Sequence, residues 1–216
     1  MIPLEVDGPD RAERTIVLAH GAGAPMDSPF LSHFARGLAA RGLRVVRFEF
    51  PYMQARRGGR RLPPDRPPVL RACWLEVVRE LGGAERLVIG GKSLGGRIAS
   101  LVADEVSARG LVCLGYPFHP PGKPQALRVE HLRTLRTPTL IVQGTRDALG
   151  SQEDVAGYSL SPAIRVRWIA DGDHSLKPRV RSGRTEAQNL DEAVAAIADF
   201  AASEPRSNRS SALRRR

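Results

Sequence analysis

Arg86-Leu87-Val88-Ile89-Gly90-Gly91-Lys92-Ser93-Leu94-Gly95-Gly96-Arg97-Ile98-Ala99 is the stretch whose reading decides the fold. Residues 86–90 form a short apolar run with β-branched members, as a buried strand does. Residues 96–103 carry small and apolar side chains suited to a helix lying on a sheet. Between them, Gly91-Lys92-Ser93-Leu94-Gly95 fits G-x-S-x-G, in which a strand turns sharply into a helix with a serine at the apex. Small residues are needed on both sides of that turn, because side chains there would collide with the neighbouring strand and helix. Ser93 is therefore the first candidate for a covalent nucleophile. Gly91-Lys92-Ser93 is also the tail of a phosphate-binding loop, but that pattern needs glycine at position 86, where this chain has Arg86. The positions between are strand residues and leave no room for a wrapping loop.

Outward from the elbow, apolar strand-like runs alternate with helical stretches, which indicates an α/β sheet of mostly parallel strands with helices on both faces. Thr15 to Ala19 reads as a strand ending in His20-Gly21-Ala22-Gly23-Ala24-Pro25, and Ser28 to Arg41 as a helix. Leu43 to Phe50 is the next strand, closed by Pro51, and residues 53–68, rich in Arg, Pro and Gly, read as an irregular surface loop. A helix spans about Val69 to Leu81. Beyond the elbow come strands over Gly110–Gly115, Thr139–Gln143 and Ile164–Ile169, and a last amphipathic helix over Leu190–Ala202.

The bulk composition sets the class. A chain of 216 residues, 42% hydrophobic, suits one domain with a full core and is short for two. We read residues 1–204 as that domain and 205–216 as a disordered tail, since Ser, Arg and Asn with one leucine cannot bury a core. No apolar run approaches the roughly 20 residues of a membrane span, and the N-terminus lacks the features of a secretory signal, so a cytoplasmic location is expected. Two cysteines, Cys73 and Cys113, make neither a disulfide framework nor a metal cluster; Cys113 lies in an apolar run and should be buried. The net charge of +10 invites nucleic-acid binding, but five of the arginines sit in the tail and no basic–aromatic interleaving accompanies the rest. Specific nucleic-acid binding and membrane association are not expected.

A serine hydroxyl is a poor nucleophile near neutral pH and needs a base, which a carboxylate in turn orients. In the strand–turn–helix arrangement the order along the chain is serine, acid, histidine, on loops at the C-terminal ends of strands. Thr139–Gln143 is followed by Gly144-Thr145-Arg146-Asp147, and the last strand by Ala170-Asp171-Gly172-Asp173-His174-Ser175. Ser93, Asp147 and His174 are thus the candidate triad, with Glu153 and Asp154 as fallback acids. Asp171 and Asp173 are too close to His174 in sequence to aim a carboxylate at its ring and should bend the turn instead. His33 and His131 read as surface residues, and His20 as a residue shaping its glycine-rich loop. His119 precedes Asp147 and breaks the order, so it is expected to line the pocket. For the oxyanion, the backbone N–H of Leu94 at the helix start and that of Ala22, or failing it Gly23, are the candidate donors.

Across nearly the whole chain to about Ala202, these features resemble a small, lidless bacterial α/β-hydrolase near the dienelactone-hydrolase-like branch. More narrowly, the chain resembles a group whose eukaryotic relatives include a testis-expressed protein and a subunit of a histone-acetylating chromatin complex. The stretches that carry the likeness are Leu18–Asp27, Gly90–Arg97, Gly115–Lys123, Gln143–Asp147 and Gly172–Pro178. The resemblance implies the same triad and leaves the substrate open. Many larger hydrolases insert a cap where this chain has only the Tyr116–Pro138 connection, so an open site flanked by Met26, Tyr116, Phe118 and His119 is expected. Lys92, Arg97 and Lys177 are candidates for a positive rim. The expected chemistry is hydrolysis of a small ester or thioester through an acyl-enzyme on Ser93, without metal or organic cofactor. The alternative is a non-catalytic interaction scaffold on the same fold.

Overall fold

The computed structural model describes residues 2–203; the expected boundary at residue 204 and the tail 205–216 lie outside them. Seven strands form one sheet: β1 (Leu4–Asp7), β2 (Thr15–Ala19), β3 (Arg44–Phe48), β4 (Leu87–Lys92), β5 (Gly110–Leu114), β6 (Thr139–Gly144) and β7 (Ile164–Ile169). Their spatial order is β1-β3-β2-β4-β5-β6-β7, parallel except for β1, which runs antiparallel to β3 at the edge. The helices are α1 (Pro29–Ala39), α2 (Pro51–Arg57), α3 (Pro67–Glu80), α4 (Leu94–Val102), α5 (Gln152–Ala156) and α6 (Glu186–Ala202). This is the α/β-hydrolase architecture: a mostly parallel sheet covered on both faces.

Alternation along the central strands divides the core in two. Val17, Ala19, Val46, Phe48 and Ile89 face α3 and α4, where Trp74 packs edge-on to Phe48 at 4.7 Å between ring centroids. Ile16, Leu18, Val45 and Val88 face α1 and α6, against Leu31, Phe34 and Ile197. Truncating a fully buried aromatic such as Trp74 to alanine costs about 3–5 kcal/mol, so either face tolerates little loss.

Several elements depart from the sequence reading. β1 is absent from the sequence reading; its alternation of Leu4 and Val6 with Glu5 and Asp7 spans only four residues, and Arg47 of β3 fixes it through ion pairs to Glu5 at 3.0 Å and Asp7 at 2.7 Å, besides the ladder. Residues 53–68 are not wholly irregular, since Pro51 opens α2 rather than merely closing β3, as proline can at a first helical position. Tyr52 and Met53 on α2 are buried, and α3 begins at Pro67, two residues before the expected Val69. The last helix starts at Glu186, where Thr185 and Gln188 form a reciprocal cap. Between β5 and β6 the chain makes only a single 3-10 turn, Glu130–Arg133, and no cap is evident there.

His131, on that turn, is not the surface residue expected. It is half-buried, and its Nε2 lies 2.8 Å from Ser100 Oγ on α4. Burial, reinforced by the Arg97 charge, pushes its pKa from 6.5 down to about 4. The unfolded chain therefore takes up this proton at higher pH than the folded one, so His131 favours folding above about pH 6.5 and opposes it increasingly as pH falls toward 4. Denaturant midpoints should drop over that window. In His131→Gln the drop should be smaller, by on the order of 1–2 kcal/mol.

Candidate active site

The site is built where three parallel strands end. At the β4–α4 junction Ser93 adopts φ 48° and ψ −109°, a left-handed-side conformation costly for a residue with a Cβ and held by its surroundings. The turn presses against β2 so closely that a Cβ on Gly91 would lie 2.1 Å from the Ala19 carbonyl oxygen, and one on Gly95 2.4 Å from the same atom. Glycine at both positions lets the elbow sit on the end of β2, next to the loop that begins at His20.

The structure brings Ser93, Asp147 and His174 together. Ser93 Oγ is 2.9 Å from His174 Nε2, and His174 Nδ1 is 2.8 Å from Asp147 Oδ2. Asp147 is fully buried, whereas the His174 side chain is 29% exposed, leaving the serine end of the chain open to a substrate. A carboxylate only accepts, so Nδ1 carries the proton donated to Asp147, and Nε2 is left to accept from the serine hydroxyl. Asp147 is held in turn by the Leu149 N–H on Oδ1 at 2.8 Å and by Gln143 Nε2 on Oδ2 at 2.8 Å. The sequence reading passed over Gln143, although an amide at the end of the apolar run Thr139-Leu140-Ile141-Val142 was the available signal. Buried groups of this kind must find partners: its Nε2 also donates to the Tyr116 and Gly150 carbonyls, and its Oε1 accepts from Tyr116 N.

The other acids and histidines are engaged elsewhere. Asp171 pairs with Arg179 and Arg146, and the Arg179 hydrogen bond holds its carboxyl down to about 2. Asp173 Oδ1 accepts from Ser175 and Lys177 N–H groups and closes the turn around His174. Asp154 caps α5 with Ser151, beside exposed Glu153, and neither has a bond to His174. His33 pairs with Asp191 at 2.9 Å. His20 is fully buried; its Nδ1 lies 2.6 Å from the Gly21 carbonyl and its Nε2 accepts from Phe50 N–H at 3.1 Å, while burial lowers its pKa.

Lys92 is not a rim charge. Its side chain turns inward, donates from Nζ to the His174 carbonyl and lies 5.1 Å from the Phe30 ring centroid. Burial brings its pKa down to about 8, against the pull of Asp147 and Asp173. One side chain, next in sequence to Ser93, thus grips the backbone of His174. Lys177 reaches Glu186 at 3.8 Å, away from the triad.

Four residues expected to line the pocket are placed differently. Tyr116 and Phe118 are fully buried, with rings 4.9 Å apart and the Tyr116 hydroxyl donating to the Arg128 carbonyl. Tyr116 is tied to Gln143 through its backbone N–H and carbonyl, so both rings belong to the packing under the triad's acid. His119, only 5% exposed, has its Nδ1 on the Pro120 carbonyl, and Met26 is tied by its N–H to Glu49. None of the four offers more than a sliver of surface to a ligand.

The His20–Asp27 loop is anchored instead by α2. Tyr52 Oη donates to the Gly21 and Ala22 carbonyls and Arg56 to that of Ala22, while buried Glu49 accepts from Met26 N and from Arg57. With its carbonyl so occupied, Ala22 keeps a backbone N–H that makes no hydrogen bond among the described residues, as does Gly23. Leu94 occupies the first position of α4, where no intrahelical acceptor exists. Two loops that meet at Ser93 therefore both carry free donors.

Residues 12–202 match the family described as an alpha/beta hydrolase domain, and the chain belongs to that family. Solved structures agree in fold. Dienelactone hydrolase from Anabaena variabilis is 21% identical, with 91% of this chain and 89% of that one covered at a TM-score of 0.67. An α/β serine hydrolase without lid from Xanthomonas campestris is 18% identical, covering 94% and 90% at 0.63. Est1E from Butyrivibrio proteoclasticus, solved with ferulic acid bound, is 14% identical, covering 93% and 95% at 0.69. No helix among the described residues is long and apolar enough to cross a membrane.

Gln143→Leu should leave Asp147 without its amide partner and strand the Tyr116 and Gly150 carbonyls, costing about 2–3 kcal/mol of folding stability by denaturant melts. Lys92→Met keeps the length of the side chain but removes the grip on His174. Amide exchange over residues 172–177 should then quicken, while the melting temperature holds or rises because a buried charge has gone.

Proposed function

We propose that the protein is a serine hydrolase that cleaves a small carboxylic ester or thioester through an acyl-enzyme on Ser93. The observation that carries this reading is the continuous hydrogen-bond chain Ser93–His174–Asp147, with its acid sealed from water and its serine at the apex of a strained turn. In the first half-reaction Ser93 Oγ bonds to the carbonyl carbon as His174 Nε2 takes the hydroxyl proton. The tetrahedral oxyanion is received by the N–H groups of Leu94 and Ala22, and collapse breaks the bond to the leaving oxygen or sulfur, which takes the proton from His174. Water, deprotonated by the same imidazole, then releases the acid and restores the serine. Asp147 stays ionised throughout and keeps the ring in the tautomer that accepts from serine.

Support from the fold is of a general kind: the family is one of hydrolases, and the solved neighbours include an esterase domain from Rhodothermus marinus. The rival reading, a scaffold without catalysis, has no use for an Asp–His–Ser alignment maintained by Gln143 and Lys92. Purified protein should turn over short-chain p-nitrophenyl esters and react with a fluorophosphonate probe. Ser93→Ala should abolish labelling and lower kcat at least about a thousandfold. A folded wild-type protein that neither labels nor turns over ester would establish the scaffold instead.

A further inference from the structure

Residues 56–66 hold Arg56, Arg57, Arg60, Arg61 and Arg66 against a single acid, Asp65. These arginines differ sharply in what they meet. Arg57 is neutralised by Glu49, on Nε and Nη2 at 2.8 Å, and by Asp27 at 2.8 Å. Asp65 is occupied by the Tyr52 N–H at 2.9 Å. Arg56 bonds only to carbonyls, from Nε to Leu62 at 2.7 Å and from Nη1 to Ala22 at 3.2 Å, and lies over the Tyr52 ring. Its position is fixed while its charge is left without a counter-ion. Arg60 and Arg61 are exposed, and their side chains make no hydrogen bond or ion pair among the described residues.

These three uncompensated guanidiniums share one open cavity of about 640 Å³, completed by Gly59, Leu62 and Pro63, with no acid in its wall. Like charges gathered around a hollow repel one another unless an anion fills it. The cavity is also close to the chemistry. Arg56 holds the carbonyl of Ala22, and Gly21, the residue before it, approaches Ser93 so closely that its Cβ would stand 3.8 Å from the serine Cβ. A substrate seated on Ser93 with its oxyanion at Ala22 would have the arginine cavity one loop away.

We infer that this cavity is a subsite for a phosphate group carried by the leaving portion of the substrate, so that the preferred substrate is an acyl ester or thioester of a phosphorylated alcohol or thiol. Guanidinium groups bind phosphate oxygens in pairs and keep their charge at every accessible pH. Three of them suit a multiply charged anion better than a single carboxylate. The inference rests on Ser93 acting as an acyl acceptor.

The test compares one acyl group on two thiols: coenzyme A, which is phosphorylated, and N-acetylcysteamine, which is neutral. Wild type should favour the acyl-coenzyme A by about tenfold or more in kcat/KM, chiefly through KM, and the advantage should shrink in 0.5 M salt. Arg60→Ala/Arg61→Ala, two exposed positions outside the triad, should lose most of the advantage while using the neutral thioester as before. Equal use of both thioesters by wild type, or an advantage that survives the double variant, would overturn the subsite. A third arm, an acyl thioester of a thiol bearing only a carboxylate, should gain less than the phosphorylated one; an equal gain would refute the assignment to phosphate. Calorimetry of coenzyme A binding to Ser93→Ala, with and without the arginine changes, reads the subsite without turnover. Binding that depends on Arg60 and Arg61 supports the subsite even if hydrolysis fails, and binding indifferent to them overturns it.

Discussion

The Ala19 carbonyl oxygen, at the end of β2, is the point on which the site turns. Two glycines of the elbow, Gly91 and Gly95, pack against it at distances no Cβ could share. That contact accompanies the unusual φ and ψ of Ser93 and seats the elbow against the start of the loop at His20, where a Cβ on Gly21 would lie 3.8 Å from the Ser93 Cβ. Strain of this kind, of order 1–3 kcal/mol, persists only where neighbours over-determine it. Here the sheet does so, with β4 paired on both sides by β2 and β5.

Around the serine, support comes from two sides with different chemistry. On the side of β5 and β6 it is a neutral amide, Gln143, that ties Asp147 to the Tyr116 and Gly150 backbone, over a floor of Tyr116 and Phe118. On the side of β3 it is charge: Glu49 is 2% exposed, yet it joins Met26 and Arg57, while Arg47 donates to the Met26 carbonyl. A buried carboxylate left without partners would cost several kcal/mol, so this network specifies one loop conformation. Lys92 links the two sides, since it grows from β4 and grips the loop after β7.

How much of this was legible in the sequence depended on whether the signal was local. The elbow, the order serine–acid–histidine and the six parallel strands each leave a contiguous pattern, and the triad residues do converge. β1 leaves only a four-residue alternation of Leu4 and Val6 with Glu5 and Asp7, too short to stand out, and is held at the edge by Arg47. α2 was hidden by its opening Pro51, its two arginines and the glycines and prolines that follow it, which read as loop although Tyr52 and Met53 are buried. The wall of the site was misread for a different reason. Tyr116, Phe118 and His119 lie in the loop after β5 and Met26 in the loop after β2, but whether such a residue faces substrate or core is a matter of packing, which no local pattern records. The same holds for Lys92, whose charge suggested solvent and whose long stem instead crosses under His174.

The central claim is that Ser93, His174, Leu94 N–H and Ala22 N–H surround one reacting carbonyl. It is tested most directly by a crystal structure of the protein after reaction with a small alkyl fluorophosphonate. The account predicts a phosphorus–Oγ bond at Ser93, with the phosphoryl oxygen within about 3 Å of both the Leu94 and Ala22 nitrogens. An adduct on another residue, or a phosphoryl oxygen that meets neither nitrogen, would contradict it.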